Sequence, residues 1–220
     1  MSELYALLKD HDLLEQAMVY AVIKKVYEKD IKSKNIQQVK KVVSNRCEEL
    51  GLEGLEQELT RGLISLRRPF WRDRNELGQE MDRELIRETI VKGVSEGPPL
   101  QDIKTDILIR WAQILALILV AEGLKTSQIR KFLSGVRGVE AKSKRSKPED
   151  FTRQEVAFLK VHLAYAKARQ QHPVKPLMDV MTAVIDKIRE EGREGLLDFN
   201  VFVRFVEAVV AYHRFYGGSD

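Results

Sequence analysis

Four histidines and one cysteine are the most reactive side chains of this 220-residue chain, and none stands where catalysis would need it. His11, His162, His172 and His213 include no pair at metal-ligand spacing on one helix face, and no His-Glu-x-x-His run occurs. A His-Asp doublet such as His11-Asp12 ligates metal only with further His and Asp ligands, and no second histidine precedes His162. We read the doublet as the polar start of a helix. Cys47 falls on an apolar face, where a free thiol is a core group. A single cysteine excludes a disulfide framework or a multi-thiolate zinc site within the chain, and it fits a reducing compartment. Neither a Walker-type phosphate loop nor a dinucleotide fingerprint is present. Gly135-Val136-Arg137-Gly138 has the spacing that clamps a nucleic-acid backbone in some RNA modules, but those need flanking strands. Here it follows a helical pattern and reads as capping or fraying of that helix. The paired acids Glu48-Glu49 and Glu190-Glu191 lie in charged surroundings and read as solvated helix faces. The expectation is a non-enzyme with no cofactor and no metal.

The cationic side chains, by contrast, fall into rows. Residues 125–169 hold 12 Lys or Arg against 4 Asp or Glu, a net of +8; the whole chain is +4, so the remainder is −4. Such a segment is the electrostatic footprint of a polyanion partner, or else a solvated Lys-rich helix surface. At 100° per residue, Arg153, Lys160 and Lys167 lie within about 40° of one another, beside Val156, Leu159 and Leu163. Arg130 and Arg137 are also seven apart and share a face with Ile129, Leu133 and Val136. Two such helices can bury their seams and leave both rows outward, lining up cations as a phosphate backbone requires. No base-reading side chains are implied, so the contact would be independent of sequence. On the last helix, Phe202, Val206, Val209 and His213 form an apolar stripe ending in an imidazole. Arg204 and Arg214, about 80° apart, project elsewhere and can reach a partner. In Arg67-Arg68-Pro69-Phe70-Trp71-Arg72-Asp73-Arg74, aromatics between arginines can stack on unpaired bases, or can anchor a helix corner with the arginines snorkelling around them.

The elements that must hold these residues are helices. No stretch sustains period-two alternation and several show period 3.6, so the fold class is all-α. Leu13, Leu14, Ala17, Met18, Ala21, Val22 and Val26 trace one face; Ile36, Val39, Val43 and Cys47 trace another, closed by Gly51. Further helices are expected over 52–66 and 76–94. Gly97-Pro98-Pro99 ends the first half, and Pro99 suits the first turn of a helix running to Glu122, closed by Gly123. Thr126 or Ser127 is the expected cap of the next helix. Residues 140–149 carry Lys142, Lys144, Arg145 and Lys147 and no large apolar group, which predicts a solvated loop. Helices over 150–171, 174–191 and 197–216 follow. Residues 1–98 are net −1 and residues 99–220 net +5, a shift that coincides with the Gly-Pro-Pro break. We therefore expect a helical bundle of about five helices over 99–220 with an additional N-terminal helical extension or domain over 1–98. The longest apolar stretch, 107–121, is broken by Arg110 and Gln113 and is too short to span a bilayer. An acid stands where a signal peptide would carry base, so a soluble intracellular protein without membrane association is expected.

Three segments resemble a known family. They are residues 122–133 (Glu-Gly-Leu-Lys-Thr-Ser-Gln-Ile-Arg-Lys-Phe-Leu), 158–169 (Phe-Leu-Lys-Val-His-Leu-Ala-Tyr-Ala-Lys-Ala-Arg) and 204–218, which closes on Ala-Tyr-His-Arg-Phe-Tyr-Gly-Gly. In this order and spacing they look like the small subunit of the type III-A CRISPR effector, the Csm complex, over about residues 100–220. The resemblance implies a non-catalytic, all-helical subunit in the cytoplasm of a prokaryote. Several copies would stack along a guide RNA–target RNA duplex, beside other subunits that cut the RNA and make a signalling nucleotide; self-association as a homodimer is the other form expected. The family's basic surface would map onto Lys125, Arg130, Lys131, Arg137, Lys160, Lys167 and Arg169, overlapping the rows found from periodicity, which add Arg153. Tyr212, His213 and Arg214 fall in the closing signature, with a contact or a packing role. The first 98 residues lie outside the likeness and read as a docking domain, an elaboration of the bundle or a fused partner. Two rivals to RNA contact are a helical protein–protein adaptor and an enzyme with a dispersed site.

Overall fold

In the computed structural model residues 5–28, 36–65, 70–169 and 171–220 are described, apart from the side chains of residues 28, 70–75, 169, 171 and 172. The Arg67–Arg74 cluster therefore lies outside the described side chains. The chain divides into two compact units, Met1–Glu84 and Leu85–Asp220. Among the described residues the secondary structure is helical, with one isolated antiparallel bridge between Thr152 and Glu191.

The first unit contains α1 (Leu13–Glu28), α2 (Ile36–Leu50), α3 (Glu56–Ser65) and α4 (Phe70–Met81). The His11-Asp12 doublet opens α1. Asp12 Oδ1 accepts from the backbone N–H groups of Leu14 and Glu15 at 2.8 and 3.2 Å, and Glu15 reaches back to the Asp12 N–H at 3.4 Å. This reciprocal cap satisfies the orphan donors of a helix start. The apolar faces then close on one another: Tyr20 and Ile23 of α1, Val43 and Cys47 of α2, Leu59 and Leu63 of α3, and Leu77 and Met81 of α4 are buried. Burial first, then the charges of Glu56 and Glu53, pushes the Cys47 thiol up to about 11, so the cysteine is an unreactive core group as expected. The helix that contains α4 continues as a π-helical segment, Asp82–Val91, and then α5 (Lys92–Glu96). It thus starts earlier than expected and is wound more widely in its middle.

The second unit contains α6 (Thr105–Ala121), α7 (Thr126–Ser143), α8 (Gln154–Ala157), α9 (Leu159–Arg169), α10 (Gln171–Lys187) and α11 (Gly192–Phe215). Helix α6 is central: Ala112 and every residue from 114 to 119 are buried, with α10 and α11 packed against it. That explains its apolar run after Gln113, because a stretch covered on all sides needs no polar face. No helix among the described residues is long and apolar enough to cross a membrane. Helix α11 also packs on α7, and α9 packs on both α7 and α10.

Three of the shifts in expected boundaries bear on the candidate site. Helix α6 begins at Thr105, because Pro99 leads into a separate 3-10 turn, Leu100–Asp102. Helix α7 extends to Ser143, so the expected loop over 140–149 shortens. Lys144 pairs with Glu140 at 2.7 Å and the Ser143 hydroxyl donates to the Val139 carbonyl at 3.0 Å, which holds the last turn without apolar burial. The helix expected over 150–171 breaks at Phe158 into α8 and α9, with Arg153 as the residue that precedes α8. Arg153, Lys160 and Lys167 are therefore not three positions of one continuous helix.

Candidate nucleic-acid interface

The cations are carried by α7, α9 and α11, and a buried clasp sets how α7 meets α11. Helix α6 ends on Gly123 at φ +78°, with the N–H of Gly123 bonded to the Val120 carbonyl at 3.0 Å and that of Leu124 to the Leu119 carbonyl at 2.9 Å. Helix α11 ends the same way on Gly217, φ +86°, with Gly217 bonded to Arg214 at 3.1 Å and Gly218 to His213 at 2.9 Å. Both are left-handed terminations that glycine allows and other residues resist. Between the two ends sits His213, fully buried. Its Nε2 lies 2.9 Å from the Leu124 carbonyl, which can only accept, so Nε2 carries the proton. In the neutral ring Nδ1 then accepts from the Thr126 hydroxyl at 3.2 Å. Burial holds the imidazole below its usual range, against the opposing pull of the Leu124 bond. The Ser219 carbonyl accepts from the Thr126 N–H at 2.7 Å, satisfying a donor at the start of α7. Gly218 has no room for a side chain: a Cβ there would lie 2.1 Å from His213 Nδ1. The Thr126 hydroxyl is thus spent on His213; the residue before the helix is Lys125, whose N–H donates to Gln128 Oε1 at 3.1 Å.

A second buried anchor fixes the other end of α11. Asp198, fully buried, accepts from Arg189 Nε at 2.8 Å, from the Arg189 backbone N–H at 3.2 Å and from the Gln101 N–H at 3.1 Å. The Asp198 carboxylate in turn raises the guanidinium of Arg189 above its ordinary range. Asp198 gives no signal in the sequence that sets it apart from Glu194 and Glu207, the other acids of the same helix.

Five of the predicted contact residues, Arg130, Arg137, Arg153, Lys160 and Arg214, meet the chain's own acids. Arg130 lies 3.9 Å from Asp220, which also pairs with Arg214 at 3.1 Å. Arg137 pairs with Glu140 and with Glu207 of α11. Lys144, and after it Arg137, hold the Glu140 carboxyl below the usual range. Lys160 pairs with Asp186 of α10. Arg153 donates to the carbonyls of Asp186 and Ile188 at 2.7 and 2.9 Å and to Glu190 at 3.1 Å. The α7 row therefore leans toward α11, while Arg153 and Lys160 lean toward the end of α10. Lys125, Lys131, Lys167 and Arg204 form no ion pair among the described residues, and the same holds for Arg145 and Lys147 in the turn after α7, which join the candidate surface. The Arg169 side chain lies outside the described residues.

The break at Phe158 and helix α9 together carry an apolar stripe on the outside. Phe158, Val161 and Tyr165 are 74%, 59% and 63% exposed. By helical periodicity the face of Val161 and Tyr165 is about 130° from that of Lys160 and Lys167. A shallow groove beside the stripe is lined by Gly135, Gly138, Lys142, Glu155, Phe158 and His162, among others. The Gly-x-x-Gly run is the α7 wall of this groove and not a helix end. A Cβ on Gly135 would stand 3.1 Å from Leu159, so the missing side chain lets α7 approach α9. Among the described residues no group of three His, Cys, Asp or Glu could hold a metal.

The family match covers these same elements. The family model described as Csm2 Type III-A matches residues 102–219. The chain belongs to this family. A relative from Streptococcus thermophilus, described as "CRISPR system Cms protein Csm2", is 37% identical over 98 residues, which cover 44% of this chain and 76% of that relative. No solved structure matches. The chain is thus a Csm2 small subunit of a type III-A CRISPR complex. The Csm2 match lies within the second unit, and α1 to α5 precede it.

Proposed function

We propose that this Csm2-family chain binds the backbone of guide and target RNA without sequence preference, as a non-catalytic subunit of a type III-A interference ribonucleoprotein in the prokaryotic cytoplasm. The carrying observation is the set Lys125, Lys131, Lys167 and Arg204, whose cations meet no acid among the described residues. The other described candidates, Arg130, Arg137, Arg153, Lys160 and Arg214, are held by exposed or half-buried ion pairs. Such pairs are worth about 0.2–1 kcal/mol each, little enough for a phosphate to replace the carboxylate. His213 and Asp198, both fully buried, are committed to holding helix ends, which supports a structural and not a catalytic use of them. The first unit, Met1–Glu84, has its own core, which favours reading that part of the 1–98 extension as a separate domain, while residues 85–98 belong to the second unit.

Contact with other subunits and with further copies of the chain is the second part of the proposal. The stripe Phe158, Val161 and Tyr165 supports it, because it leaves the cation-bearing face of α9 available for RNA. The deciding experiment is fluorescence anisotropy with RNA oligonucleotides of several sequences over a salt series. Lys131→Glu, Lys167→Glu and Arg204→Glu together should weaken binding about tenfold or more for every sequence. The log–log salt slope should fall by roughly 0.7–0.9 for each phosphate that is no longer neutralised, with helicity by circular dichroism unchanged. Equal affinity of variant and parent would leave the adaptor reading in possession.

A further inference from the structure

Arg130 and Arg214 come from different helices, are more than half exposed, and converge on one carboxylate. Arg214 Nη1 donates to Asp220 Oδ2 at 3.1 Å and approaches the Gly218 carbonyl at 3.5 Å, while Arg130 Nη1 stands 3.9 Å from Asp220 Oδ1. The carboxylate is delivered by the buried clasp: Gly218 is bonded back to His213, and the Ser219 carbonyl receives the Thr126 N–H at 2.7 Å. Asp220 is therefore presented next to both guanidinium groups at a fixed distance from the end of α11. A carboxylate between two guanidinium groups has the charge sign and paired acceptor oxygens of a phosphodiester.

We propose that Arg130 and Arg214 form a two-arginine phosphate site that Asp220 fills as an internal stand-in, so that an RNA phosphate enters by displacing the chain's own carboxylate. The inference rests on the RNA-contact reading above and adds to it an internal competitor. It separates this pair from Lys131 and Lys167, whose cations need no displacement. The arrangement also permits release. Asp220 is 61% exposed, and its side chain can rotate into water while the backbone anchor at Ser219 stays in place.

The test compares full-length parent, Asp220→Asn, Glu149→Gln and Arg130→Gln/Arg214→Gln, with and without Asp220→Asn, for binding a mixed-sequence single-stranded RNA over a salt series. Glu149→Gln adds the same unit of net charge at an exposed acid away from the pair. Asp220→Asn should bind about fivefold tighter than parent, with a salt slope steeper by roughly 0.7 for the additional phosphate engaged. Glu149→Gln should change affinity by less than about twofold, as screening of a distant surface charge implies. The gain from Asp220→Asn should vanish in the two-arginine variant, because nothing is left to unmask. If Asp220→Asn binds no better than Glu149→Gln, or if its gain persists without the two arginines, the masked site is overturned while salt-dependent RNA binding stands. If no protein in the set shows salt-dependent binding, the RNA reading falls and the masked site with it.

Discussion

The junction of α7 with α11 and the flank of α9 against α10 both present cations, yet they are built on different principles. At the first, arginines sit over a buried clasp of His213, Thr126, Leu124 and Gly218, where backbone and imidazole bonds leave little freedom. At the second, Lys160 and Arg153 are held at the surface by Asp186, Glu190 and two backbone carbonyls at the end of α10. The difference teaches that one family signature serves two ends. The inward half of 204–218 fixes a helix junction, and the outward half, with Arg204 and Arg214, faces solvent.

The largest effect should come from filling the clasp. Gly218→Ala puts a methyl group into the His213 ring and should destabilise the protein by about 2–3 kcal/mol, read by urea unfolding. A change inside 0.5 kcal/mol, on the order of ordinary surface substitutions, would break the contrast.

The next effect is titration of the clasp. His213 is held below the free-imidazole value of 6.5, so the folded protein prefers the neutral ring. Between the two pKa values the unfolded chain binds more protons than the folded one. Stability is then fully present above the unfolded value and is lost as pH falls through it toward the folded one. The slope contributed is at most about 1.4 kcal/mol per pH unit. His213→Gln should be less stable at pH 7 and flatter from pH 7 to pH 5, as followed by thermal unfolding. An unchanged slope would remove the buried imidazole from the comparison.

The smallest effect on stability belongs to the α9 surface. Phe158→Glu with Tyr165→Glu should leave the unfolding midpoint within about 0.5 kcal/mol of parent, since both side chains are exposed. It should also lower self-association in sedimentation velocity. A large loss of stability would mean that the stripe is part of the core and not a contact surface.

Much of the architecture was legible before any coordinates. The 3.6 periodicity located the helices, Gly51 and Gly123 marked two of their ends, and His11-Asp12 read correctly as a helix start. Boundaries moved where local bonds decided them, as when Lys144 and Glu140 carried α7 into a stretch with nothing to bury. The break at Phe158 was hidden, because Val156, Leu159 and Leu163 keep helical spacing across it. The closing His-Arg-Phe-Tyr-Gly-Gly was visible as a signature, but its partners, Leu124 and Thr126, lie nearly ninety positions away in the chain.

The amino-acid order alone determined that this chain is helical, that residues 125–169 are strongly basic, and which family it resembles. These follow from short-range spacing and composition. Which cations are engaged was decided only by the tertiary structure. Asp220, Glu207, Asp186 and Glu190 are remote in sequence from some or all of their partners, and a helical wheel gives the direction of a side chain but not the neighbour it meets. An ion pair forms where two folded elements bring opposite charges within about 4 Å, a distance that only packing sets.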